Sequence, residues 1–230
     1  MKSRQEIKAI AKAAMKNQRG TSILTMLVFF VIGIVMGIAL SVPIVTATAA
    51  GNDPSLGVPM VLFYGILFFV VIPMSVNAAG IFIKIYKGEA ARTGELFSNF
   101  PVNYLRKLGG IAWMSLFTAL WSMLLFIPGI IKSFAYSMTP FILADCPNVT
   151  AREALKLSMR MTKGHKMNLF VMMLSFIGWH ILSAFTLGIL SIVFVSPYMY
   201  ATQAGYYVEL RDKAIADGII DSAELSGRLQ

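Results

Sequence analysis

Four polar side chains stand out because each sits in an otherwise apolar stretch: Asn77, Lys132, His180 and Gln203. A lysine there is a cation for an anionic group. A histidine can serve as a base, a proton carrier or a metal ligand, and an amide donates and accepts at once. Their spacing assembles no catalytic constellation, and HExxH, GxSxG, GxGxxG and the Walker phosphate loop are all missing from the chain. One cysteine, Cys146, excludes an internal disulfide framework, and two histidines do not support a Cys/His zinc site. Asp217-Gly218-Ile219-Ile220-Asp221 with Glu224 resembles the later half of a calcium loop, but Lys213 and Ile215 would occupy its first two ligand positions. The expectation is a chain without catalytic, cofactor-binding or metal residues, and not an enzyme.

The elements that must hold these four groups are set by the distribution of charge. Hydrophobic residues make up 57% of the 230 and charged ones 13%, against about 45–50% and 25% in soluble domains. Between Arg19 and Lys84 the only charge is Asp53; between Lys107 and Asp145 it is Lys132; between Lys166 and Glu209 there is none. About 20 apolar residues span a bilayer. The fold expected is all-α: a polytopic membrane helix bundle of about six transmembrane helices, N-in/C-in, with basic amphipathic interfacial helices.

Residues 1–20 read as the first interfacial helix. Ser3 and Glu6 have capping-box spacing, Ile7, Ile10, Ala11, Ala14 and Met15 form an apolar stripe, and Lys8, Lys12 and Lys16 line another face. Such a helix is expected on an anionic membrane surface. The six-span domain, 21–208, has spans at about 21–50, 58–83, 108–127, 129–145, 167–185 and 189–208, and 209–230 is a cytosolic tail. The first span competes with a signal peptide ending at Ala47-Thr48-Ala49, but its apolar core is too long for one. Gly33 and Gly37 form a GxxxG pair that would admit another helix closely. GNDPSLG (51–57) is expected to turn.

A second amphipathic helix follows Thr150, which with Glu153 makes another capping box. Ala151, Ala154, Leu155, Ser158 and Met159 share a face opposite Arg152, Lys156, Arg160 and Lys163, and Gly164 is the expected stop. Residues 167–208 carry no charge, and one straight helix of that length would run ~63 Å, about twice the hydrocarbon thickness. They must fold back, at Thr186-Leu187-Gly188.

The stretch 129–145 decides the parity. If it crosses, in a hairpin turning at Pro128-Gly129, the inner segments hold 19 of the 20 Lys and Arg residues, as the positive-inside rule demands. If it does not, Arg152, Lys156, Arg160, Lys163 and Lys166 are exported. The basicity is therefore topogenic and lipid-facing, and nucleic acid drops out as a partner. The partners expected are a bilayer with anionic headgroups and other membrane proteins or further copies of this chain.

Within the spans, Lys132 either snorkels to the outer headgroups or faces a polar cavity. His180 is either satisfied locally or acts as a relay. Asn77 and Gln203 lie towards inner ends, suited to interhelical hydrogen bonds. Carriers coupled to cations or protons usually bury a carboxylate on the ion path, and these spans hold none.

IPGIIK (127–132), YSM (136–138), MTKGHK (161–166), LSFIGW (174–179), TLGI (186–189) and PY (197–198) together resemble the bacterial integral-membrane family catalogued as domain of unknown function 975. The resemblance runs from the basic N-terminal helix to about residue 211. It implies a multi-span cell-membrane protein of a kind found mainly in Gram-positive bacteria. More distantly, it implies similarity to membrane domains attached to some glycerophosphodiester phosphodiesterases. It implies no functional residues, and with no hydrolase domain in this sequence that enzyme's activity is not expected. The role expected is a non-enzymatic helper, scaffold or envelope-homeostasis component. The alternative is a small transporter or lipid- or peptide-handling protein with an outward-facing polar cavity near Lys132.

Overall fold

A computed structural model describes residues 1–50, 57–98 and 103–226, with side chains described outside 39–64, 66–68 and 126. The expected turn at 51–57, with Asp53, falls outside the described residues but for its last position. The described residues are helical, with no strand among them. In chain order the helices are α1 (Arg4–Asn17), α2 (Arg19–Ala50), α3 (Gly57–Lys87), α4 (Glu95–Ser98), α5 (Tyr104–Leu124) and α6 (Phe126–Tyr136). They continue with α7 (Thr139–Asp145), α8 (Ala151–Met161), α9 (Lys166–Phe185), a π-helical turn (Ser191–Val195), α10 (Ser196–Ala216) and α11 (Ser222–Leu225).

The centre of the bundle is α3 crossed with α10. From Met74 to Tyr86 nearly every α3 side chain is buried, as is most of α10 from Ala201 to Leu210, and a helix apolar all round belongs inside. Gly205 sets the closeness of this crossing. A Cβ there would lie 2.9 Å from Ile7 Cγ2 and closer still to the Tyr86 ring. Pro73, inside α3, lacks the N–H that would bond the carbonyl of Phe69. Tyr104 Oη donates to that carbonyl instead, at 2.9 Å.

The capping box of α1 is formed, with Ser3 Oγ accepting from Glu6 N and Glu6 accepting from Ser3 N. Much of its apolar stripe is turned into the protein. Ile7, Ala11 and Met15 are buried against α10 and α3, because the crossing at Gly205 leaves a shallow seat that Ile7 fills. Lys2 pairs with Glu209 at 2.8 Å. Gln18, at the elbow into α2, holds the loop after α3 at both ends of its amide: Nε2 donates to Glu89 O at 2.7 Å and Oε1 accepts from Ala91 N at 2.9 Å.

Among the described residues four stretches are long and apolar enough to cross a membrane: Arg19–Ile38, Phe69–Lys87, Ile127–Asp145 and Lys166–Phe185. The other two expected spans are less clear-cut. α5 carries Arg106 and Lys107 in its first turn, and 189–208 is divided between the π turn and α10, whose second half bears Glu209, Arg211, Asp212 and Lys213. The stretch that decides the parity is two helices, α6 and α7, broken at Ser137-Met138 just ahead of Pro140. α6 packs back along α5, the chain reversing at extended Leu125 (φ −157°, ψ 129°). Pro128 and Gly129 thus lie in the first turn of α6 and not at the reversal. Gly129 lets the two helices touch, since a Cβ would fall 2.7 Å from Ser122 Cα.

α9 ends at Phe185, and the chain turns through Leu187 (φ 51°) and Gly188 (φ 83°), where Gly188 N bonds Ser183 O at 2.9 Å. The strained residue of the pair is Leu187; Gly188 adopts the left-handed region without cost. The capping box of α8 is formed by Thr150 and Glu153. Its buried face is Ala154, Leu155, Leu157, Ser158 and Met161, rotated from the expected one, with Ala151 and Met159 only half-buried. The rotation follows from two hydrogen bonds that Ser158 Oγ makes to α6 and its end, donating to Ala135 O at 2.7 Å and accepting from Met138 N at 3.3 Å.

Candidate functional site

At one end of the bundle α3, α5 and α7 converge around a polar cavity of about 380 Å³. α3 supplies Gly80, Ile83, Lys84 and Lys87, a stripe at helical spacing. Arg106 and Lys107 come from the start of α5, and Ala144 and Asp145 from the end of α7. The helices approach closely where side chains are small. A Cβ on Gly80 would meet Ala144 Cβ at 3.4 Å, and one on Gly110 would meet Leu143 Cδ2 at 3.2 Å.

Arg106 closes the C-terminal end of α7. Its guanidinium donates to Cys146 O at 2.8 Å, to Val149 O at 2.6 Å, and to Leu143 O. A helix leaves its last carbonyls without intrahelical donors and concentrates negative potential there, so a cation is favoured. Lys107, buried beside it, donates to Asn77 Oδ1 at 2.7 Å, and Asn77 Nδ2 donates to Leu96 O of α4 at 2.8 Å. Burial pushes both the Arg106 and Lys107 values down, and for Lys107 the adjacent Arg106 adds to it.

Two of the carboxylates around the cavity, Glu95 and Asp145, are engaged. Glu95 accepts from Lys84 at 2.8 Å. Asp145 accepts from Arg211 at 2.6 Å and from Tyr207 Oη at 2.9 Å, with Lys87 farther off at 3.4 Å. Tyr207 stacks on Phe141 with centroids 5.8 Å apart. Burial raises the Cys146 thiol, which keeps it protonated and a poor nucleophile. Cations held on two packed helices, α3 and α5, make an anion-binding arrangement; nothing among its lining residues activates a nucleophile.

Of the four groups singled out in the sequence, Asn77 alone reaches this cavity. Lys132 sits near the far end of α5, its Nζ 4.9 Å from the Trp121 ring centroid. Trp121 is fourteen residues from Lys107, ~21 Å along the helix. His180 is exposed on α9, and Gln203 is half-buried on α10 away from the cavity lining. Gly33 and Gly37 have nothing within 4 Å of an added Cβ. Gly33 instead borders an apolar groove of about 660 Å³ between α2, the π turn and α10. Gly188 stands at the groove's end.

The basic residues divide in the same way. Lys8 lies over Phe176, 4.5 Å from the centroid, and bonds Ser175. Arg152 covers Trp113 at 5.0 Å. Arg160 bonds Glu224 and Ile219 O, tying α8 to α11. Lys12, Lys16, Lys156 and Lys163 are exposed.

Sequence reasoning passed over Lys84, Lys87, Arg106 and Lys107 as charges that merely fix orientation. A signal was present: Asn77, Gly80, Lys84 and Lys87 share one face, and two adjacent cations open an apolar helix. No curated protein and no solved structure matches this chain. Residues 109–214, from the first turns of α5 to the last turn of α10, match the family described as protein of unknown function (DUF975), the family that the IPGIIK and MTKGHK stretches resemble.

Proposed function

We propose that this chain is a six-span component of the cell membrane, with both termini on the cytoplasmic side. It works without catalysis, as a helper or scaffold that associates laterally with other membrane proteins and engages anionic lipid. One observation carries the reading: α2 and α9 leave continuous apolar faces uncovered. On α2 these include Leu24, Leu27, Val31, Ile34 and Val35, and on α9 Phe170, Leu174, Ile177, Ile181 and Leu182, all well exposed. Faces of that length outside a core are contact surfaces for lipid or partner helices. The charge supports the orientation, because the cations other than Lys132 gather in the segments the positive-inside rule keeps in the cytoplasm.

Photo-crosslinkers placed at Ile34 and at Ile177, in cells making the full chain, test the association. The expected result is a discrete crosslinked species from at least one of the two faces. Lipid adducts alone from both faces would sink the scaffold reading. The orientation has its own test. A thiol introduced as Lys156→Cys should resist a membrane-impermeant maleimide in intact cells and react after permeabilisation; labelling from outside would invert the topology.

A further inference from the structure

We propose that the cavity between α3, α5 and α7 binds a phosphate-bearing anion. Its cations come from two helices, Lys84 and Lys87 from α3 and Arg106 and Lys107 from α5, and the bonds that fix Arg106 and Lys87 leave their charge in place. Arg106 gives its hydrogen bonds to three neutral carbonyls. Lys107, on the same lining, donates to the amide oxygen of Asn77. Lys87 stands 3.4 Å from an Asp145 that Arg211 already holds at 2.6 Å. Of the acids on the lining, Glu95 is taken by Lys84 and Asp145 by Arg211, which leaves Glu89 as the opposing charge. The site is also reachable, since the Lys84 side chain is 41% exposed.

At about 380 Å³ the cavity falls in the range of roughly 300–1,000 Å³ typical of ligand sites. Basic pockets between membrane helices on the cytoplasmic side suit phosphorylated headgroups. A phosphate brings three acceptor oxygens and up to two charges against a carboxylate's two and one, and so uses more of these donors. The same chemistry describes an anionic phospholipid headgroup and a free phosphate compound, and the experiment separates them.

The full chain, purified in detergent, is titrated with inorganic phosphate by calorimetry. In parallel it is equilibrated with phosphatidylglycerol or phosphatidylcholine and the adducts are counted by native mass spectrometry. Phosphatidylglycerol adducts in excess over phosphatidylcholine, with no phosphate heat, assign a lipid headgroup; phosphate heat assigns a soluble ligand. In either arm Lys87→Gln or Lys107→Gln weakens binding about fivefold. Glu89→Gln tightens it roughly twofold or more, a gain that misfolding does not produce. Lys132→Gln, at the other end of α5, leaves it unchanged.

Absence of selective binding in both arms overturns the proposal, as does binding indifferent to all three cavity substitutions. The phosphate arm does not depend on the membrane placement proposed above. External labelling at position 156 would sink that placement and leave the cavity standing, and failure of both arms would do the reverse.

Discussion

α2 and α3 are nearly equal in length, 32 and 31 residues, and both are apolar enough to cross a membrane. Their fates differ. Two thirds of the apolar stretch Phe69–Lys87 of α3 is buried in protein (67%), against 17% of Arg19–Ile38 in α2. Hydropathy puts a helix in the bilayer but does not say whether lipid or protein surrounds it there, because a lipid tail is as apolar as a leucine. What separates the two is what the helix offers for close contact. α3 has Asn77-Ala78-Ala79-Gly80, small residues plus an amide that bonds Lys107 and α4. α2 has Gly33 and Gly37, equally small, but among the described residues nothing lies within 4 Å of a Cβ added at either. A small residue permits an approach; a polar bond or a complementary knob is needed to secure it.

Steric overfilling gives the sharpest break. Gly205→Leu, at the α3–α10–α1 crossing, is expected to cost ~3 kcal/mol or more, because Tyr86 and Ile7 already occupy the space. Gly33→Leu on α2 should stay within ~0.5 kcal/mol. Thermal unfolding of the two variants in detergent reads the difference, and equal losses would erase the distinction between the helices.

Next comes Arg106→Met, which strips the carbonyls at the end of α7 of their charged donor. About 2–3 kcal/mol is expected, with proteolysis appearing first at 146–150.

A smaller effect is set by pH. Burial raises the Glu209 carboxyl, but hydrogen bonds and charge from Lys2 outweigh it and hold the value below 4.5, and the same bond raises Lys2 above 10.5. A depressed carboxylate stabilises above its unfolded value and loses that as pH falls through the folded one. A raised lysine does so below its own value and loses it as pH rises through the folded one. Docking of α1 should therefore hold between those limits and loosen below pH ~4.5, measured by the mobility of a spin label at Lys12→Cys; Glu209→Gln should flatten the acid limb.

The smallest effect is expected at Lys132→Leu. It loses a cation–π contact with Trp121 of ~0.5–1 kcal/mol, seen as a shift in tryptophan emission.

Much of this architecture is legible in the sequence. Charge-free runs marked the long helices, Ser3/Glu6 and Thr150/Glu153 marked the starts of α1 and α8, and a break was expected at Thr186-Leu187-Gly188. These signals are local, carried by residues within a turn or two of each other. What escaped was non-local. The destination of α1's apolar stripe depended on Gly205, some two hundred residues away. The reversal at Leu125 depended on Gly129 fitting against Ser122. The cavity cations were read one at a time as topology markers, because nothing in a linear chain says that Lys87, Arg106 and Asp145 meet.

The Lys2–Glu209 contact joins residues 207 apart. Its partner helix α10 is synthesised long after α1, so α1 is seated only once α10 has been made. Until then Ile7, Ala11 and Met15 have α3 but not α10 to cover them, and α1 waits on whatever surface will hold it. A chain stalled at residue 195 should keep its first twenty residues open to protease, and release past residue 216 should close them off.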